Sequence, residues 1–418
     1  MGQRAKEQGM LSPYRVLDLT DEKGLLCGKI LGDLGADVII IEPPGGSSAR
    51  KIGPFYHDDP HPEKSLYWFA YNVNKRGITL NIEDRDGAEL LKRLVESADI
   101  LVESFPPGYM ESLGLGYGDL EKVNPSIIMT SITPFGASGP YRDYKGSDLV
   151  LMSLGGLTYI SGNPERPPVR ITYPQAYLHA GAYAAVGTMM ALFHRGITGE
   201  GQHVDVSIHE CCEWASYCTP EWWDLEQTNF QRAGMWRSFG QGKMQMVYPC
   251  KDGYVSCWIL VSFAASRGQY ALVEWMDKEG MCPDWLRELD FRSMDSYNME
   301  QGLLDNMADA FARFFLTKTK EELFEFAREN ELFLAPMSTA RDLWENPQLK
   351  AREFWVELEH PELGVTIAYP GPFLQSSEAP PTVRRRAPLI GEHNREIFQG
   401  ELGLTTQTLT MLKEAGVI

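Results

Sequence analysis

Apolar residues in the first half of the chain come in short runs separated by segments of helical spacing. Residues 14–19 alternate weakly and are rich in β-formers, and 37–41 form a continuous apolar run. Such a run is what a strand buried on both faces shows. Helical spacing lies between them at 24–34. The alternation then repeats. A helix is expected at about 84–97, a strand at 100–103, a helix near 118–123 and a strand at 127–132. A small-residue helix follows at 178–195, then a tight turn, Thr198-Gly199-Glu200-Gly201-Gln202, and a strand at 203–208. Strand–helix–strand order with short connections predicts an α/β protein with a parallel, doubly wound sheet. Ligands bind such a sheet outside the carboxyl ends of its strands. In this chain those ends are 18–23, 42–46, 103–108 and 133–139.

The pattern changes near residue 225. Residues 227–245 are polar and glycine-bearing, and 248–258 form a hairpin pattern around Asp252-Gly253. Helices are expected near 263–275 and 299–314. This predicts a large domain in 1–224, a smaller α+β domain in 225–338, and a return segment, 339–418, that completes the first. The return segment holds a helix at 340–345, a break at Pro347, strand-like stretches as far as Leu374 and a final helix pair.

Charge narrows the function. The net charge of −18 repels phosphate backbones and anionic lipid, so neither nucleic acid nor membrane is an expected partner. An anionic ligand would need local cations, and Lys75, Arg76 and Lys145 are the candidates. Seven cysteines without regular spacing give no disulfide framework, which fits a reducing cytoplasm. The first ten residues lack the apolar stretch of a leader, and no run approaches the ~18 apolar residues of a membrane helix. His203, His209, Glu210, Cys211 and Cys212 invite a metal reading. Strand alternation puts the two histidines on opposite faces, however, and adjacent cysteines do not easily share one tetrahedral site, so no metal is expected. The run Gly114 to Asp119 (GLGYGD) follows a helix rather than a strand and is expected to be a loop.

Many short motifs occur in one order: Leu17-Asp18-Leu19-Thr20, Leu31-Gly32-Asp33-Leu34-Gly35-Ala36-Asp37-Val38, Glu42-Pro43-Pro44-Gly45-Gly46, Asn74-Lys75-Arg76-Gly77-Ile78-Thr79-Leu80, Phe105-Pro106-Pro107-Gly108, Phe135-Gly136-Ala137-Ser138-Gly139-Pro140, the Thr198 turn and Gly391-Glu392-His393. With them, nearly the whole chain resembles the family III CoA-transferases of the formyl-CoA/carnitine-CoA type. The resemblance implies a Rossmann-like large domain, a small domain, and two chains interlocked like linked rings. It also implies a coenzyme A thioester as substrate, with no permanently bound cofactor. In that family one aspartate attacks the thioester carbonyl, forms a mixed anhydride and then carries CoA as an enzyme thioester.

This chain departs from the family at that aspartate. The position four residues before Gly181 is Tyr177, and a phenol with a pKa near ~10 does not replace a carboxylate. Around it, a lysine frequent in the family is Glu83, an arginine is Ser112, and the glycine-rich lid is reduced to Phe239-Gly240-Gln241-Gly242. Leu80, Phe105 and Lys145 remain as CoA-binding candidates, with Lys75 and Arg76. The expectation is a subunit that pairs with a homologous chain bearing the aspartate, or otherwise with itself, in CoA transfer between an acyl-CoA such as succinyl-CoA and an organic acid. An aromatic acid would suit the loop aromatics Tyr159, Tyr173, Tyr177, Trp222, Trp223 and Trp236. Two alternatives stand beside it. One is a self-sufficient transferase using Asp148, or failing that Glu165. The other is a racemase-like enzyme, a reading weakened because Gly146-Ser147-Asp148 stands where the racemases have Gly-His-Asp.

Overall fold

The structure, a computed structural model, describes residues 9–216, 218–239, 242–259, 266–295 and 298–418. The N-terminal stretch read for a leader lies largely outside the described residues, as do the middle of the reduced lid, 240–241, and the first turn of the helix expected from 263. The chain divides into two compact units: 1–158, 171–224 and 348–418 in the first, 159–170 and 225–347 in the second. The boundary falls at 347 where the sequence pattern put it at 338. Lys320 pairs with Asp342, which also closes a capping box with Thr339, so the helix Ala340–Glu345 is fastened to the second unit.

The first unit is built on six strands: β1 (Arg15–Leu19), β2 (Asp37–Glu42), β3 (Lys75–Thr79), β4 (Ile100–Glu103), β5 (Ile128–Thr133) and β6 (Gln202–Ser207). All are parallel, in the order β3-β2-β1-β4-β5-β6. The apolar runs are explained by burial on both faces. Val16, Val38, Ile100 and Ile128 join one core, and Leu17, Ile39, Leu101 and Met129 join another, as alternation on a strand requires.

The helices between and just after these strands include α1 (Leu25–Asp33), α2 (Leu66–Asn72), α3 (Arg85–Val95), α4 (Tyr109–Ser112), α5 (Tyr117–Val123), α6 (Asp148–Leu154), α7 (Ala176–Thr198) and α8 (Ile208–Ser216). Helix α7 buries Ala180, Gly181, Ala184, Ala185, Thr188 and Ala191. A Cβ on Gly181 would lie 2.8 Å from the Cβ of Leu26 on α1, so small residues let the two helices meet. Among the described residues α7 is the one helix long and apolar enough to cross a membrane by length and composition. Its small-residue face packs on α1 and β5 instead.

The outer edge of β3 is closed by residues from the far end of the chain. Gly77 N–H donates to His393 Nδ1 (3.0 Å) and Thr79 N–H to Asn394 Oδ1 (2.8 Å), while Gly77 O accepts from His393 N–H (2.9 Å).

The second unit carries a three-stranded antiparallel sheet of Val247–Cys250, Gly253–Cys257 and Leu334–Pro336. The hairpin turns at Asp252-Gly253, where the sequence pattern placed it. Helices Ser266–Lys278, Gln301–Phe315 and Lys320–Asn330 supply its core, with Leu272, Met307, Phe311, Phe314 and Phe315 buried.

Candidate active site

The sheet order reverses between β1 and β4, and the chain segments leaving these strands are tied together there. Asp21 N–H donates to Ser104 Oγ (2.9 Å), and the Ser104 hydroxyl donates to Asp21 Oδ1 (2.9 Å). Outside this switch point lies a cavity of about 400 Å³. Leu19, Ile41, Leu80, Ile82 and Phe105 form its apolar wall, and Asp21, Ser47, Asn81, Glu83 and Tyr109 its polar rim. Leu80 and Phe105, named from the sequence, therefore meet in one place. Phe105 stacks on Tyr109 with ring centroids 4.8 Å apart. The Tyr109 hydroxyl donates to Glu83 Oε1 at 2.7 Å. Burial and this carboxylate push the Tyr109 phenol up to about 12.

Two of the three cation candidates are not there, which corrects the sequence expectation. Lys75 is fully buried, its ammonium 2.8 Å from Asp18 Oδ2 and 3.0 Å from Leu25 O. Burial pulls that ammonium below its ordinary range, and Asp18 opposes the pull. Asp18 Oδ1 accepts from Thr20 N–H (3.0 Å) and the Thr20 hydroxyl (2.7 Å). The pair needs Gly28 on α1, because a Cβ there would stand 2.1 Å from Asp18 Oδ2. Arg76 pairs with Asp37 (2.5 Å), Glu396 (2.7 Å) and Glu401 (2.6 Å). Both cations belong to β3, a strand that the polar run Lys75-Arg76-Gly77 disguises. Lys145 is exposed in the loop before α6, and among the described residues it has no ion pair.

Sequence reasoning missed a second buried ion pair. Arg50 holds Glu42 through two hydrogen bonds (2.6 and 2.8 Å), reaches Glu63 (2.7 Å) and Pro388 O (2.9 Å), and lies 3.8 Å over the Trp68 ring. This group fixes the loop after β2 that borders the cavity. Its partners stand 8, 13 and 338 residues from Arg50, so no local motif shows them.

Tyr177 stands in the first turn of α7, half-buried. Its hydroxyl takes a hydrogen bond from the Asp148 backbone. Burial, then the carboxylates of Glu22, Asp148 and Asp21, push the phenol up to about 12. Asp148 opens α6, and its Oδ1 accepts the Ala176 N–H at 2.9 Å. It thereby caps α7, whose own N-cap residue, Gln175, makes no side-chain cap bond. Glu165 is exposed in the second unit.

One further carboxyl stands at the switch point. Glu103, the last residue of β4, is almost fully buried and accepts the Phe105 N–H at 2.7 Å. Burial raises it to about 7, against hydrogen bonds from Ser131 and Phe105. Ser131 Oγ is 2.9 Å from Nε2 of the exposed His203. Among the described residues no three His, Cys, Asp or Glu side chains are grouped to hold a metal.

Residues 11–394 match the sequence profile of CoA-transferase family III. The chain belongs to that family. It is 38% identical over 389 residues to the BbsE subunit of succinyl-CoA:(R)-benzylsuccinate CoA-transferase from Thauera aromatica, covering 93% of both chains. It is 32% identical to the succinyl-CoA–D-citramalate CoA-transferase of Chloroflexus aurantiacus, covering 98% of both. The beta subunit of that organism's succinyl-CoA–L-malate CoA-transferase is 29% identical, again over 98% of both. Among solved structures, a CAIB/BAIF family protein from Brucella suis superposes with a TM-score of 0.79 at 27% identity, over 94% of this chain and 99% of that one.

Several family III motifs have visible structural tasks in this chain. Asp18 and Lys75 answer each other across β1 and β3. Glu42 anchors Arg50. Arg195 joins the end of α7 to Asp99 (2.8 Å) and to Ser126 O (3.1 Å). The Gly391-Glu392-His393 motif closes β3 through His393. These are tasks of folding, and they explain why the resemblance extends over so much of the chain.

Proposed function

We propose that this chain is the non-catalytic subunit of a heteromeric family III CoA-transferase. A homologous chain carrying the aspartate would be its partner, and the assembly would move CoA from an acyl-CoA such as succinyl-CoA to an organic acid. The observation that carries this reading is Tyr177. A phenol held protonated to about 12 among three carboxylates offers no anion at neutral pH to form a mixed anhydride. Asp148, the fallback, has one oxygen engaged as the cap of α7.

A second observation supports a partner. Tyr183, Val186, Met190, Phe193 and Ile197 make an exposed apolar stripe along α7, and Trp214 on α8 stands beside Tyr183. Spacings of three and four place them on one helix face, and exposed apolar patches of this kind mark contact surfaces. An interlocked pair, with CoA held mainly by the partner and no permanent cofactor, would cover that face. Two of the relatives are themselves named as subunits. The many aromatics make an aromatic acid the favoured acceptor.

Intact-protein mass spectrometry with succinyl-CoA tests the proposal. The chain alone should show no CoA-sized adduct, and Tyr177→Asp should not create one. A nucleophile misplaced by ~1 Å loses about a hundredfold, and the surroundings of residue 177 are acidic. Co-expression with an aspartate-bearing homologue should give activity with the adduct on the other chain. An adduct on this chain, mapped to Asp148, would overturn the reading in favour of a self-sufficient enzyme.

A further inference from the structure

Two arginines of the first unit and one of the second are held in different ways. Arg50 turns its Nε and Nη2 edge to both oxygens of Glu42 (2.6 and 2.8 Å), and Arg76 turns the same edge to Asp37 (2.9 and 2.5 Å). That edge is a fork that matches a carboxylate. Arg232, in the second unit, is positioned without an acid. Its Nη1 donates to Tyr159 O (2.9 Å), and its guanidinium carbon lies 5.3 Å from the centroid of the Tyr159 ring. The stretch that carries Tyr159 is pressed on the loop of Arg232. A Cβ on Gly234, at φ +60°, would stand 3.3 Å from the Cα of Asn163, and the Tyr159 hydroxyl meets Gln231 Oε1 at 3.5 Å. Arg232 Nε is buried without a hydrogen-bond partner, and among the described residues nothing accepts from Nη2 either.

We infer that Arg232 binds the carboxylate of a small organic acid, taken bidentately on Nε and Nη2. A buried N–H without an acceptor is a group the fold leaves unsatisfied, and the chain's own use of the same edge at Arg50 and Arg76 identifies the acceptor that fits it. Tyr159 and Gln231 are exposed beside the guanidinium, so the ligand arrives from solvent. Residues 227–233 have no regular secondary structure and can yield to admit it. Phosphate is the poorer match, because a single guanidinium in a chain of net charge −18 offsets one negative charge and leaves a second repelled. The inference rests on the proposed function only for the ligand's class, an organic acid, and not on which chain carries the nucleophile.

The test is an NMR titration of the purified chain, isotope-labelled at arginine Nε, with benzoate, with benzamide and with inorganic phosphate. Benzoate should shift the Arg232 Nε–H signal saturably and bind about tenfold or more tightly than benzamide, which has the ring without the charge. Phosphate should bind more weakly than benzoate. Arg232→Lys keeps the charge but loses the fork, and should weaken benzoate by about tenfold or more. Arg267→Gln, which removes a cation of the same unit paired with Glu331, should change it by less than about twofold. Circular dichroism confirms that each variant is folded, and Arg232→Gln is a second variant for assigning the signal. An unmoved Arg232 signal, benzamide or phosphate bound as tightly as benzoate, or equal losses from Arg232→Lys and Arg267→Gln would each overturn the inference. Mapping of the CoA adduct judges the subunit reading and this titration judges Arg232, so each can fail alone.

Discussion

The interior of the large unit and the corner around Tyr177 treat charge in opposite ways. In the interior, Asp18 faces Lys75 and Glu42 faces Arg50, and the buried Arg76 reaches outward to Asp37, Glu396 and Glu401. At the corner, the Tyr177 hydroxyl meets Glu22, Asp148 and Asp21, and Glu83 lines the neighbouring cavity without a cation. Unpaired buried charge threatens the fold, so the interior pairs keep one another in place. Surplus charge at a partly open corner leaves the fold intact and changes only what can bind or react there. The pairs that hold this framework together are therefore separate from the charges that decide what its corner can bind.

The largest effect should come from breaking an interior pair. Lys75→Met leaves Asp18 buried without a counter-charge and should destabilise the chain by ~3–5 kcal/mol, read from the urea midpoint. Adding Asp18→Asn should recover part of the loss. A shift below about 1 kcal/mol for Lys75→Met would erase the contrast between interior and corner.

Glu103 sharpens the contrast because it is a buried acid with no ion pair among the described residues. Its native value, about 7, lies above the ordinary 4.5, so the folded chain binds more protons than the unfolded one between these values. The stabilising contribution is full below about 4.5 and is lost as pH rises through about 7. The change is on the order of 3 kcal/mol over that window. Stability measured from pH 4.5 to 8 should show this fall, and Glu103→Gln should flatten it. A variant with the wild-type slope would assign the pH dependence to another group.

The smallest of the three effects separates the corner's scaffold from its chemistry. Gly181 lies one turn beyond Tyr177 on α7. Gly181→Leu should overpack the contact with Leu26 and cost ~1–3 kcal/mol. An unchanged melting midpoint would mean that α1 and α7 can part without loss.

Five of the six sheet strands were legible in the sequence, the central ones because burial on both faces leaves apolar runs and the edge strand β6, with its burial pattern alternating at its start, from the turn that precedes it. The sixth, β3, was hidden. It opens with Lys75 and Arg76, and its burial depends on carboxylates 57, 39, 320 and 325 residues away. The same distance misled the site reading, which took both cations as candidates for holding an anionic ligand. Leu80 and Phe105 come together in the structure because each lies within two residues of the end of a strand of the sheet, a consequence of parallel topology that sequence order does reveal. The Glu103–Ser131–His203 chain joins β4, β5 and β6, and only the strand pairing discloses it.

The closure of β3 also sets an order of events during synthesis. Thr79 N–H waits for Asn394, 315 residues later. At ~5–20 residues per second, translation covers that interval in roughly 15 to 60 s. The whole second unit emerges meanwhile. Throughout that time the nascent sheet has a bare margin, with amide and carbonyl groups able to recruit any neighbouring strand. The sheet is therefore sealed by residues made 315 positions after the strand that they cover.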